Sequence, residues 1–181
     1  MQSLPGQILL DERQIQNRIL ELGRRISADY DGRELVLIGV LKGAVIFLAD
    51  LMRAITIPHT FDLVGASSYG NRTKSSGQVT ITKDVTVDLK GKDILLVDDI
   101  YDSGRTLKVL MGLLDLHHPA SIAAACLVVK DCPRQEEVAV RYAGFTLPDL
   151  FIVGYGLDYA ERYRNLRCLV AYEPDAKPES V

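Results

Sequence analysis

Three carboxylates, a glycine and two hydroxyls stand together at Asp98, Asp99, Asp102, Ser103, Gly104 and Thr106, directly after the apolar run Ile94-Leu-Leu-Val97. A short apolar run opened by the Gly91-Lys92-Asp93 turn reads as a buried central strand of a parallel sheet. The acids then sit at its carboxyl end, where open α/β sheets bind ligands. Ser103 and Thr106 flank Gly104 and Arg105, and Leu107, Leu110, Met111 and Leu114 follow at helical spacing. Hydroxyls and freed backbone N–H groups at the start of a helix suit a phosphate. Asp98 and Asp99, adjacent in an extended segment, are expected to point to opposite faces and so not to chelate one ion together. They suit the vicinal hydroxyls of a sugar, or hydrated Mg²⁺, which takes one or two carboxylates plus substrate oxygens. Asp102 suits the helix N-cap, and its carboxylate could equally take a proton from a substrate. A solvated acidic turn is the plainer alternative for all three.

The elements that must hold this segment follow from the apolar pattern. Asp11 is an N-cap for an amphipathic helix in which Ile15, Ile19, Leu22 and Ile26 recur on one face. After the Asp31-Gly32 turn, Leu35 to Val40 reads as a buried strand, and Ala44 to Ala54 as a helix closed by Ile57-Pro58. Phe61 to Ser67 is the next expected strand. The polar, glycine-bearing stretch Ser68 to Gly77 is long enough to be a lid. Val79 to Ile81 and Val85 to Val87 are expected to pair as a hairpin carrying it. A helix to about Leu116 and a strand from Ser121 to Val129 continue the alternation. Gly144-Phe145, Leu150 to Gly154 and Leu169 to Tyr172 look like pieces of an appended cap, with a loose tail from Pro174. Alternating strands and helices imply an α/β fold, a right-handed, mostly parallel sheet with helices on both faces.

The 181 residues form one expected domain with a substantial core. A net charge of −3 and a pI near 5.6 give no general nucleic-acid footprint, so any anionic ligand must be held locally. No apolar run is long enough to span a membrane, and Met1-Gln-Ser-Leu-Pro-Gly6 has no basic segment followed by an apolar one. A cytoplasmic protein is expected. Cys126, Cys132 and Cys168 lack metal-ligand spacing and read as reduced thiols.

Val97-Asp-Asp-Ile-Tyr-Asp-Ser-Gly-Arg-Thr106 resembles the phosphoribosyl-pyrophosphate (PRPP) signature of type I phosphoribosyltransferases. Val40-Leu-Lys-Gly-Ala44, Ser68-Tyr69-Gly70 and Phe151-Ile-Val-Gly-Tyr-Gly-Leu-Asp-Tyr159, with Arg164 behind it, resemble the hypoxanthine-guanine branch, and the likeness spans residues 8–172. It implies a core at about 30–145, a lid at about 68–80, and a hood formed by the N-terminal segment and about 146–172. The implied reaction moves the 5-phosphoribosyl group of PRPP to N9 of hypoxanthine or guanine, giving IMP or GMP and pyrophosphate with Mg²⁺ as cofactor. Relatives are homodimers or homotetramers.

By the same resemblance, Asp98 and Asp99 meet the ribose hydroxyls or the magnesium shell. Asp102, Ser103, Gly104, Arg105 and Thr106 wrap the 5′-phosphate, with Arg105 standing where lysine is common. Asp102 is also the general base or acid at purine N7. Lys42 and Gly43 form the pyrophosphate loop, often with a nonproline cis peptide before the lysine, and Arg164 is a second pyrophosphate contact. Lys130 donates to the purine 6-oxo group, Phe151 stacks on the ring, and the Ile152 backbone reads its edge. Asp158 stands on the purine side and binds a second magnesium through waters; Ser68 and Tyr69 begin the lid. From the residues alone, Lys42 and Arg164 are surface charges, Lys130 a lysine ending a strand, Phe151 a core aromatic and Asp158 a turn residue.

Two other classes share parts of this pattern. A regulator of the same fold that binds RNA would need a basic face, which the acidic balance disfavours. A phosphorylated signalling receiver places its acid pair and phosphoacceptor on different strands, whereas here all three acids share one loop. Xanthine, differing from guanine at the 2-position, is the nearest alternative base, and adenine would set an amine donor against Lys130.

Overall fold

The computed structural model describes residues 4–68 and 79–173. β1 (Gly6–Leu10) leads into α1 (Glu12–Asp29). Asp11 caps that helix: its carboxylate accepts from the Gln14 N–H at 2.8 Å, and the Gln14 side chain accepts from the Asp11 N–H at 2.9 Å, a reciprocal capping box. Ile15, Ile19, Leu22 and Ile26 are at most 1% exposed, and each such burial stabilises the fold by about 1.5–3 kcal/mol.

Next come β2 (Leu35–Leu41), α2 (Val45–Ala54), β3 (His59–Ser68), β4 (Val79–Lys83), β5 (Asp93–Tyr101), α3 (Arg105–Asp115), β6 (Ser121–Asp131) and β7 (Val140–Pro148). The strands form a sheet in the order β4-β3-β2-β5-β6-β7, parallel except for β4. Successive residues serve opposite faces, as the period of two requires. Leu35, Leu37, Leu95 and Val97 pack under α1 and α2, while Val36, Ile38, Ile94 and Leu96 pack under α3. The central strands β2 and β5 thus end side by side, both faces covered. β8 (Ile152–Val153) and β9 (Leu169–Tyr172) join β1 in a separate antiparallel sheet, β1-β9-β8.

Two expectations are corrected. The segment around Gly144-Phe145 belongs to the large sheet as β7, paired with β6 from Ala124 to Asp131. As an edge strand it buries little beyond Tyr142 and Gly144, so its sequence lacks the continuous apolar run of β5. Val85 to Val87 forms no strand; β4 pairs with β3 instead. The Asp62 carboxylate holds that segment, accepting from the Thr86 N–H, the Thr86 hydroxyl at 3.0 Å and the Val87 N–H at 3.2 Å. It also meets Lys83 at 3.2 Å and the Leu63 N–H at 2.7 Å.

Burial pushes the Asp62 carboxyl up, but these donors, the Thr86 N–H foremost, reverse it and hold the group well below the usual carboxylate range. A depressed folded pKa gives stability that is complete above the unfolded value of about 3.9 and is lost as pH falls toward the folded one. Asp62→Ala is therefore expected to cost about 2–3 kcal/mol at pH 7. The gap to wild type should narrow as unfolding in urea is repeated below about pH 4. An equal gap at both pH values would count against this anchor.

No described helix is long and apolar enough to cross a membrane. All three cysteines are free. The tail from Pro174 lies outside the described residues.

Candidate active site

Gly104 closes the loop between β5 and α3, and the chain can turn there only because it has no side chain. Its φ is +81°, and a Cβ would stand 1.9 Å from the Glu136 carbonyl oxygen. Gly104 also takes the N-cap position, with no side-chain cap on the helix. Asp102 is therefore not the cap, a correction that leaves its carboxylate free for another role. Ser103 and Tyr101 tie the loop down from below. The Ser103 carbonyl accepts from the Gln135 and Glu136 N–H groups at 3.2 and 3.1 Å. The Tyr101 hydroxyl accepts from the Val138 N–H at 2.8 Å, and Arg134 lies 4.5 Å over the Tyr101 ring.

A pocket of about 270 Å³ opens over this loop. Asp98, Asp99, Asp102, Ser103, Gly104 and Thr106 line one side. Lys42 and Gly43 line another, with Asp158 and Arg164 from the turn between β8 and β9 completing it. The Leu41–Lys42 peptide is cis. The Lys42-Gly43 turn is wedged tightly: a Cβ on Gly43 would meet the Asp99 carboxylate at 1.7 Å, and one on Gly156 would meet the Gly43 carbonyl oxygen at 2.0 Å. Arg105, the first residue of α3, is not part of the lining. Ser68 ends β3, while Tyr69 and most of the expected lid lie outside the described residues.

Asp98 and Asp99 do not diverge as alternation predicts. The pocket lies across the end of β5, and both carboxyls line it and touch one another. Asp98 is 6% exposed. Burial first, and then the charge of Asp99, pushes its carboxyl well above the usual range. Burial also pushes Asp99 up, with its hydrogen bond to Asp98 and, more weakly, the Arg164 charge pulling it partly back. Two touching carboxylates, one buried and one half-buried, call for a cation, so this pair fits a divalent oxygen-seeking ion. Asp158 is more engaged, holding Arg164 at 2.7 Å and the Glu161 N–H at 2.8 Å through opposite oxygens.

A second group adjoins the pocket. Lys130, at the end of β6, is 12% exposed and stands 3.1 Å from Asp102 and 3.0 Å from Asp149. Burial lowers its pKa, yet hydrogen bonds to Asp149 and Asp102 outweigh this and raise it. The Cys132 thiol approaches Asp102 at 3.6 Å. Asp102, Cys132 and Asp149 have metal-like spacing, but the Lys130 ammonium already serves both carboxylates. Phe151 is 54% exposed rather than core. Its ring meets Tyr159 edge-on at 5.8 Å, and Tyr159 stacks on Tyr172 at 4.5 Å. Ile152 is buried and pairs with Ala171.

Several residues here carry little signal in the sequence. Asp149 and Cys132 are loop residues brought in by β6 and β7. Glu161 ion-pairs with both Lys42 and Arg164; its three-residue spacing from Arg164 was the one available hint. The two cations hold the Glu161 carboxyl below its usual value.

The loop from Asp98 to Thr106 at the head of a parallel sheet, under a small antiparallel hood, defines a type I phosphoribosyltransferase. The family model of the phosphoribosyl transferase domain matches residues 6–160, and the chain belongs to that family. It is 45% identical over 162 residues to the hypoxanthine phosphoribosyltransferase of Salmonella typhimurium, covering 88% of this chain and 91% of that one. It is 48% identical over 179 residues to the hypoxanthine-guanine phosphoribosyltransferase of Mycobacterium avium, covering 94% and 88%. Among solved structures, the hypoxanthine-guanine phosphoribosyltransferase of Bacillus anthracis, with HEPES in its active site, superposes with a TM-score of 0.89 at 41% identity, over 94% of this chain and all of that one.

Proposed function

We propose that this chain transfers the 5-phosphoribosyl group of PRPP to N9 of hypoxanthine or guanine, releasing pyrophosphate and forming IMP or GMP. One observation carries the reading: Asp102, on the loop that suits a phosphoribosyl group, touches Lys130, on the side that suits a purine, at 3.1 Å. Both halves of a two-substrate site therefore meet at the acid expected to handle the proton.

The N–H groups and hydroxyls of Ser103, Gly104 and Thr106 take the 5′-phosphate, with Arg105 adding charge from outside the lining. Lys42, the Gly43 backbone and Arg164 take the pyrophosphate. Arg164 Nε is buried with no hydrogen-bond partner among the described residues, a donor that a phosphate oxygen would satisfy. Phe151 covers the purine face, Lys130 donates to the 6-oxo oxygen, and the Ile152 backbone meets the ring edge. N9 attacks C1′ as the bond from C1′ to the pyrophosphate oxygen breaks, and the leaving oxygen keeps the electron pair. Asp102 takes the proton that N7 gives up.

Asp98 and Asp99 would hold Mg²⁺ or the ribose hydroxyls, and Asp158 would reach a second ion through water. When bound, Mg²⁺ neutralises charge building on the leaving group. The paired carboxyls also favour the positive charge that grows on the ribose as the bond stretches. Ser68 and Tyr69 would begin a lid that excludes water from that centre. A cytoplasmic homodimer or homotetramer is the assembly this reading implies, which light scattering on the purified chain would measure.

A spectrophotometric assay with PRPP, Mg²⁺ and each of hypoxanthine, guanine, xanthine and adenine tests the proposal. Turnover is expected on hypoxanthine or guanine and not on adenine, where Lys130 would face a donor. No turnover on any base would defeat it.

A further inference from the structure

The turn between β8 and β9 brings an anion to the two cations assigned above to pyrophosphate. Asp158 opens the turn and fixes its shape, accepting from the Glu161 N–H while it holds Arg164. Ala160 and Glu161 then adopt φ values of +51° and +64°, a left-handed conformation that residues with side chains seldom take. So bent, the chain aims the Glu161 carboxylate at both cations at once. Its Oε1 lies 3.1 Å from Lys42 Nζ, and its Oε2 lies 3.3 Å from the Arg164 guanidinium. Lys42 arrives from the other side of the pocket, 119 residues away in sequence, so the contact is no by-product of local spacing. The side chains of Lys42 and Glu161 are 67% and 64% exposed, and ion pairs of that kind contribute little to fold stability. They can part without disturbing the hood.

We propose that Glu161 is an internal competitor for the pyrophosphate subsite. Its carboxylate holds Lys42 and Arg164 when the subsite is empty, yields them to the diphosphate group of PRPP, and recaptures them as pyrophosphate leaves. This rests on the reading of Lys42 and Arg164 as pyrophosphate contacts. A lone carboxylate carries a single charge, while a diphosphate carries several and more acceptor oxygens. The substrate therefore wins, but against a competitor that is always present. Both cations are also kept near their working positions by the same contact, so the loop after β2 and the hood turn stay in register between turnovers.

Removing the competitor should tighten binding, whereas loss of a merely structural contact would weaken it or leave it unchanged. Calorimetric titration of the full chain with inorganic pyrophosphate in excess Mg²⁺ reads this directly. Glu161→Gln and Glu161→Ala are each expected to bind pyrophosphate about three- to ten-fold more tightly than wild type, with a parallel fall in the KM for PRPP. Unchanged or weaker binding in both variants, against a wild type that binds normally, overturns the competitor role while leaving the two cations in place. A Lys42→Ala variant whose pyrophosphate affinity equals that of wild type removes the assignment beneath it, and the inference with it.

Discussion

Replacing Asp102 with asparagine is expected to lower turnover by about two to four orders of magnitude, with a far smaller change in the KM for PRPP. Asparagine keeps the size and the acceptor oxygen of aspartate but has no carboxylate to take a proton. The phosphate-binding N–H groups and hydroxyls belong to neighbouring residues, so donor binding has little reason to fail. Lys130 retains Asp149 at 3.0 Å and so remains in place to meet the purine. The loss should therefore fall on the chemical step, where an interaction made only in the transition state has been removed. Steady-state kinetics with PRPP varied at saturating hypoxanthine measure both constants. Equal losses in turnover and in PRPP affinity would argue that Asp102 binds rather than transfers a proton.

Much of this site could be read from the chain because its parts are consecutive. Asp98 to Thr106 is one loop, and Ile94 to Val97 announces the strand that carries it. The cap of α1 was legible for the same reason, Asp11 and Gln14 being three residues apart, whereas Asp102 lost the cap of α3 to Gly104. What escaped depends on partners distant in sequence. The alternation rule correctly divides Ile94 and Leu96 from Leu95 and Val97. It fails for Asp98 and Asp99 because β5 runs out into a pocket there, and no periodicity records where a strand loses its cover. Val85 to Val87 has the composition of a strand, but Asp62 captures the N–H groups that a hairpin would need. From the residues alone, Lys130 is only a lysine ending a strand. Asp149 arrives beside it only because β6 and β7 are parallel neighbours, with Lys130 in register with Leu147.

The Asp98→Asn variant is expected to be more stable than wild type without ligands and nearly inactive. Asp98 is 6% exposed and in contact with a second carboxyl. Its burial, and then the neighbouring charge, raises its pKa. A raised folded pKa gives stability that is complete below the unfolded value of about 3.9 and is lost as pH climbs toward the folded one, so at pH 7 the carboxylate opposes folding. Asparagine removes that charge and its carbonyl can still accept from the Asp99 N–H, which now bonds Asp98 at 3.0 Å. Its amide can also donate to the Asp99 carboxylate. The gain is put at about 1–3 kcal/mol. The same change halves the charge available to a divalent ion or to the ribose hydroxyls, so Mg²⁺ and PRPP should raise the Tm of wild type but not of the variant. Thermal unfolding with and without both ligands decides the matter. A lower Tm for the ligand-free variant, or an undiminished ligand-dependent rise, would mean that the pair is held together for the fold rather than kept in tension for its ligand.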